Sequence, residues 1–254
     1  MMFTRAIVRT PGRSIINGVT TADLGIPDYK RVLQQHERYI EALRQCGLEV
    51  TIMLPQEEYP DSTFVEDCAV LAERCAIIGN LGVGSRKGEE SSIEKALRSH
   101  YADIRFVRHP GTLEGGDVLR VGEHFYVGIT RRTNVKGAEQ LISILGDFGY
   151  TASTVPVVSA LHLKTGVAYL GDNNIVLAGE FVDNPAFADH NAIVIDDDES
   201  YAANCIRVND YVLMPAGYRE SRKKITGAGF SVIEIDVSEF RKIDGGISCL
   251  SLRH

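Results

Sequence analysis

The sequence predicts an α/β fold built from one supersecondary unit used several times over and closed into a ring. The order strand, tight turn, strand, helix, strand recurs along the chain. One further unit can be assembled only by joining the two chain ends. Four of the units carry a chemically useful residue at the same station, just ahead of their first strand. A repeat of this size cannot bury its own apolar face and must stack on neighbours. Closure into a ring, as in propellers, removes the open ends. An ordinary open α/β sheet with incidental similarity is the alternative.

The pattern is clearest in mid-chain. Val118–Val121 reads as a strand, Gly122-Glu123 as its turn and His124–Ile129 as a second strand. Asn134–Leu145 has helical apolar spacing, Gly149 stops it, and Thr151–Val157 is rich in β-formers. A second copy runs through Cys68–Leu71, Cys75–Gly79, a helix over Ser91–His100 and Ile104–Arg108. A third runs through Cys205–Val208, Tyr211–Met214, a helix over Ser221–Ala228 and Ser231–Asp236. A degenerate copy uses Val167–Leu170, Ile175–Ala178, a short helix near Pro185–His190 and Ala192–Ile195. The split copy would take Cys249–Leu252 from one end, and Ala6–Arg9, a helix over Asp28–Gln45 and Glu49–Met53 from the other. No Pro-, Gly- or Ser-rich linker divides the chain, so residues 1–254 are expected to form a single domain.

Composition narrows the function classes. Against 34 Asp and Glu stand 27 Lys and Arg, a net charge of −7, so there is no basic footprint for nucleic acid or an anionic membrane. No stretch could span a bilayer, and the N-terminus lacks the apolar run of a signal peptide. The five cysteines (Cys46, Cys68, Cys75, Cys205, Cys249) are scattered and form no Cys-x-x-Cys pair. That pattern fits a reducing compartment and argues against a disulfide framework or structural zinc. The expectation is a cytoplasmic protein.

The station ahead of each first strand concentrates the chemistry. It reads Pro60-Asp61-Ser62-Thr63-Phe64-Val65-Glu66-Asp67, then Thr112-Leu113-Glu114-Gly115-Gly116-Asp117, Leu161-His162-Leu163-Lys164-Thr165-Gly166, and Asp244-Gly245-Gly246-Ile247-Ser248-Cys249. In a ring, one station per unit means one mouth. Acid, acid, histidine and thiol would converge there. Cys249 is a candidate nucleophile once ionised, a form that a nearby imidazolium favours. His162 can move protons near neutrality, and Glu114 could orient it. The surplus carboxylates suit a guanidinium, whose N–H groups fit carboxylates in pairs. Each residue has a plainer reading. Glu114 and Asp117 could serve turns, Asp61 could start one, His162 could be a satisfied core histidine, and Cys249 a small buried hydrophobe. Asp67 would be costly unpaired before an apolar strand. The histidines show no metal-ligand spacing, so no metal is expected.

The motifs Phe64-Val65-Glu66-Asp67, Glu114-Gly115-Gly116-Asp117, Arg132-Thr133-Asn134, His162-Leu163-Lys164-Thr165-Gly166, Tyr201-Ala202-Ala203-Asn204-Cys205 and Phe240 through Cys249 occur in this order across essentially the whole chain. In that order and spacing the chain resembles the dimethylarginine dimethylaminohydrolase family, bacterial type, of the guanidino-modifying (pentein) superfamily. The resemblance implies a five-bladed α/β propeller of ββαβ modules with pseudo-five-fold symmetry. It implies hydrolysis of mono- and dimethylated arginines to citrulline and an amine, through a covalent thiouronium on the cysteine, without cofactor or metal. It assigns Cys249 as nucleophile, His162 as proton carrier and Glu114 as its orienting partner. Asp67, Asp61, Glu66, Arg86, Arg132, Val19 and Ile243 become substrate contacts, with Arg86 and Arg132 on the α-carboxylate. The implied partner is a small methylated arginine, and the family is often a homodimer. An arginine deiminase is a second reading. Deiminases of this type typically show Arg-Asp in place of Glu66-Asp67 and an inserted helical domain for which this chain has no room. A non-catalytic ligand-binding homologue is a third.

Overall fold

The computed structural model describes residues 2–254. Strand β1 (Arg5–Arg9) leads through helix α1 (Tyr29–Gln45) to β2 (Glu49–Met53). The next unit comprises β3 (Ala69–Leu71), β4 (Ala76–Ile78), α2 (Glu89–Leu97) and β5 (Ile104–Phe106). It is followed by β6 (Val118–Val121), β7 (His124–Ile129), α3 (Val135–Asp147) and β8 (Thr151–Pro156). Then come β9 (Val167–Gly171), β10 (Asn174–Leu177) and β11 (Asn191–Val194), and after them β12 (Ile206–Val208), β13 (Tyr211–Pro215), α4 (Arg219–Gly227) and β14 (Ser231–Ile235). A single turn, α5 (Ser238–Arg241), precedes the last strand, β15 (Leu252–Arg253).

Every described sheet has three strands and the same pairing rule. The first strand is antiparallel to the middle one, and the middle one is parallel to the third. A two-residue turn suffices for the antiparallel pair, whereas the parallel partner needs a crossover. The split unit obeys the rule too: β15 pairs antiparallel with β1 (Ala6 opposite Arg253, Ile7 opposite Leu252), and β1 runs parallel to β2. The expected early strand from Cys249 to Leu252 is corrected here. Ser248–Leu250 is a 3-10 turn and the strand begins only at Leu252.

Local signals explain the helices. Asp28 caps α1 by accepting from the Lys30 and Arg31 amides. Val32, His36, Tyr39, Ile40 and Leu43 form its buried stripe. Asn134 caps α3 in the same way through Gly137 N–H. The degenerate unit lacks an α-helix. Its crossover uses the 3-10 turns Gly179–Phe181 and Pro185–Phe187, the second opening on Pro185 with Asn184 as cap.

Among the described residues the buried hydrophobics form five clusters, and each sits at a seam between successive units. Ile7 and Leu252 pack with Ile78 and Ile93. Ile77 packs with Phe125 and Leu141, and Leu119 with Ile175 and Phe187. Leu170 joins Val212 and Ile225. The fifth cluster joins Leu213 and Ile235 of the last complete unit to Val8, Tyr39 and Leu43 of the split one. Each unit therefore buries its faces against two neighbours.

Candidate active site

A 3-10 turn precedes the first strand of every unit: Val65–Cys68, Gly115–Asp117, Leu163–Thr165, Asp197–Ala203 and Ser248–Leu250. The first turn contacts the second, the second the third, the third the fourth, and the last contacts the first. Two hydrogen bonds between Asn204 and Ser248, one donated by each residue, join the fourth to the fifth. This circle of turns carries Asp67, Glu114, His162 and Cys249 toward one place. Gly116 permits the close approach, since a Cβ there would lie 2.8 Å from Asp67 Oδ1 and 2.9 Å from the His162 ring.

Cys249, His162, Asp67, Asp61, Arg86 and Arg132 line one small cavity of about 30 Å³. Val19 and Ile243 stand on its rim beside Phe64, Leu161, Asp244 and Gly245. Glu114 is completely buried behind His162, and its Oε2 lies 2.8 Å from His162 Nε2. Its Oε1 accepts from the Gly82 amide at 3.0 Å, with Arg132 Nη1 at 3.6 Å. Asp67 Oδ2 takes a 2.6 Å bond from Arg86 Nη1, and Oδ1 accepts from the Gly116 amide. Both oxygens of Asp61 face the Val19 amide.

The electrostatics set two protons in place. Burial alone would lower the His162 pKa. The carboxylates of Asp117, Asp67 and Glu114 outweigh it and raise the pKa to about 9. Burial, with Asp67 and Glu66, pushes the Cys249 thiol up to about 12. Burial opposes ionisation of Asp67, but Arg86 and His162 hold its pKa below the usual carboxylate range. At neutral pH these shifts favour a neutral Cys249 thiol and a protonated His162. Asp61, Asp67 and Asp244 line the pocket, where a cationic ligand would meet their oxygens.

The match to known proteins follows the same residues. The family model described as "N,N dimethylarginine dimethylhydrolase, eukaryotic" matches residues 28–252. The N(G),N(G)-dimethylarginine dimethylaminohydrolase of Pseudomonas aeruginosa is 51% identical over 253 residues, covering 99% of this chain and 100% of that protein. The chain belongs to the dimethylarginine dimethylaminohydrolase family. The solved structure of a Cys-to-Ser mutant of the Pseudomonas aeruginosa enzyme, complexed with citrulline, superposes with a TM-score of 0.99 at 50% identity, covering 100% of both chains. A His-to-Gly dimethylarginine dimethylaminohydrolase, solved as an adduct with S-methyl-L-thiocitrulline, superposes at 0.98 and 50% identity, again covering 100% of both. The α/β fold with repeated ββαβ-like modules is shared with these structures.

Of the residues expected at the substrate, Glu66 lies on another cavity and Arg86 is largely engaged within the protein. Glu66 is on the wall of a different, larger cavity of about 560 Å³ and does not line the pocket of Cys249. Its Oε1 is held by Lys164 Nζ at 2.8 Å and Arg253 Nη2 at 2.9 Å. Neighbours on one tight turn point apart, so Asp67 reaches one cavity and Glu66 the other. Arg86 lines the pocket, yet most of its donors are used inside the protein. Nε and Nη2 bind Glu89, Nη1 binds Asp67 and Nη2 also reaches the Phe64 carbonyl. Of the five N–H groups of a guanidinium, one on Nη1 remains. Arg132 is freer, with its side chain 14% exposed.

On sequence alone Asp117 has no site role, only a possible place in a turn. It is fully buried, accepts from Thr130 Oγ1 and from the Leu163 amide, and leads the carboxylates that charge His162. The hint was its place one strand-start away from Glu114. Size is a poor guide here: the larger cavity is lined by the first strands of every unit but by neither Cys249 nor His162. Asp67, Glu114 and His162 bring three ligand-type atoms within 4.8 Å of one another. A metal there would compete with the bonds these groups already make, Asp67 with Arg86 and Glu114 with His162.

Proposed function

We propose that this protein hydrolyses Nω-methylated arginines, mono- and asymmetric dimethylarginine, to citrulline and methylamine or dimethylamine. The observation that carries the reading is a half-buried Cys249 thiol and a charged His162 on the wall of one pocket that Asp61 and Asp67 also line. That pairing is idle until a cation arrives. A peptide carbonyl would bring none, while a guanidinium brings both the charge and an electrophilic carbon.

The substrate guanidinium enters against Asp67 and Asp61, with Arg132 and the free Nη1 N–H of Arg86 toward its α-carboxylate. Val19 and Ile243 border the chain of the ligand. The cation lowers the thiol pKa and the proton leaves to solvent. Cys249 Sγ then bonds to the guanidinium carbon. As the C–N bond to the methylated nitrogen breaks, His162 gives its proton to the departing amine. The resulting S-alkylthiouronium is attacked by water, from which the now neutral His162 takes a proton. The C–S bond breaks, the thiol is regenerated and citrulline leaves. Glu114 keeps the imidazole oriented throughout.

We further infer that the five sheets stand as the blades of one propeller with pseudo-five-fold symmetry, forming a single domain over residues 1–254. The seam clusters and the circle of 3-10 turns support this arrangement.

The test is citrulline formation from asymmetric dimethylarginine, monomethylarginine and arginine under identical conditions. Turnover of the methylated substrates well above arginine is expected. Preference for arginine would replace the reading with a deiminase, and binding without citrulline from any of them would make the protein a binder.

A further inference from the structure

The fourth unit contributes none of the residues that line the Cys249 pocket. What it offers is Asn204, directly after the turn Asp197–Ala203. Asn204 is 7% exposed and its carboxamide is fully used. Oδ1 accepts from the Ser248 amide at 2.9 Å, while Nδ2 donates to Ser248 Oγ at 3.2 Å and to the Lys164 carbonyl at 3.1 Å. A flipped amide would set donor against donor at Ser248 and acceptor against acceptor at Lys164, so the orientation is fixed. Tyr201, on the same turn, donates to the Gly245 carbonyl at 2.6 Å. Gly246 packs so closely on the carboxamide that a Cβ would collide with Asn204 Oδ1.

The consequence lies at Ser248. Its hydroxyl oxygen accepts from Asn204, and Nδ2 offers no acceptor in return. The hydroxyl hydrogen is therefore free for Cys249 Sγ, 3.9 Å away and within reach of a sulfur acceptor. We propose that Asn204 is a positioning residue for the nucleophile: it locks the Gly246–Ser248 turn and turns the Ser248 hydroxyl into a donor waiting for the Cys249 thiolate. Through the Lys164 carbonyl the same side chain ties that turn to the one carrying His162. The inference rests on Cys249 being the nucleophile. The groups that bear on its sulfur agree with the assignment. Burial, Asp67 and Glu66 disfavour the thiolate, and the Gly246 amide and Ser248 hydroxyl favour it. Tyr201 adds a phenol that burial keeps neutral, and His162 faces the same pocket.

The test measures Cys249 alkylation by iodoacetamide across pH 6–10, with the modified site read by mass spectrometry, in wild type, Ser248→Ala, Asn204→Ala and the double variant. Loss of one hydrogen bond to the charged form is expected to raise the thiol pKa by about one unit, which is roughly tenfold slower alkylation at each pH below the plateau. The double variant should be no slower than the slower single, because both act through one hydroxyl. Wild-type alkylation in Ser248→Ala would overturn the proposal, as would a double variant whose slowing is the product of the two singles. Ser248→Ala keeps the Asn204 bond to the Ser248 amide, so it carries the test if Asn204→Ala fails to fold. Alkylation is read without turnover. If Cys249→Ser still made citrulline, the nucleophile reading would fail, whatever the alkylation rates.

Discussion

His162 Nε2 and Glu114 Oε2 lie 2.8 Å apart, with Glu114 wholly sealed from solvent. A buried carboxylate on one ring nitrogen fixes the imidazole's orientation and, after Asp117 and Asp67, helps keep it charged. With a pKa near 9, His162 is a proton donor at neutral pH, and activity should fall as pH rises through that value. Glu114→Gln keeps the shape and removes the charge. We expect the alkaline limb of kcat/KM to move toward neutrality and kcat to fall roughly 10- to 100-fold. A pH–rate profile checks this. An unmoved limb would mean that Glu114 does not charge the histidine.

Cys249→Ser should keep the pocket and lose the chemistry. A hydroxyl ionises far less readily than a thiol, so turnover should drop by on the order of 10³-fold or more. Citrulline binding should survive, as titration calorimetry would show. Comparable turnover in the variant would end the covalent scheme.

Arg86 binds Asp67 and Glu89 with almost no exposure on any of the three side chains. Arg86→Met would leave two buried carboxylates unpaired. The expected cost is about 3–5 kcal/mol in a urea melt, since breaking a buried pair strands its partner. A loss under 1 kcal/mol would show that water reaches these acids.

The segment bearing Val19 borders the pocket. Thr20 Oγ1 donates to the Lys242 carbonyl at 3.0 Å, and the Thr21 amide and hydroxyl donate to Asp244 Oδ2. A cavity of about 30 Å³ is the room of roughly one water, so a bordering segment is expected to move when a methylarginine enters, and this one is the candidate. Replacing both threonines with valine removes three hydroxyl bonds, the third being the one Thr20 Oγ1 accepts from the Ala22 amide. It should raise KM about threefold to tenfold while leaving kcat within about twofold. Rapid-mixing measurements of product release should show faster opening, and unchanged kinetics would place the entry route elsewhere.

Much of this was legible because repeat phase is a geometric statement. The Gly122-Glu123 turn, the helical spacing over Asn134–Leu145 and the stop at Gly149 fixed one unit well enough to find the others. Their common station put Cys249, His162 and Asp67 at one mouth. What stayed hidden depends on side-chain direction within a 3-10 turn. Glu66 and Asp67 are adjacent in sequence but open on different cavities. Asp117 looks like any turn acid until its bonds to Thr130 and Leu163 are seen. Asn204 bears no charge, so nothing in its residue type marked it out. The Cys249–Leu252 stretch reads as strand because it is apolar, yet its first half is spent on placing the thiol.

The antiparallel pair of β15 and β1 joins residues nearly the whole chain apart. Such a contact is the slowest kind to form, since loop-closure entropy is greatest for the longest loop. Cys249 lies immediately before that strand. Its carboxylate and histidine neighbours meet it only after those two strands have docked. The setting of Cys249 is thus tied to completion of folding: a partly folded chain has the cysteine but not the neighbours that surround it in the finished ring.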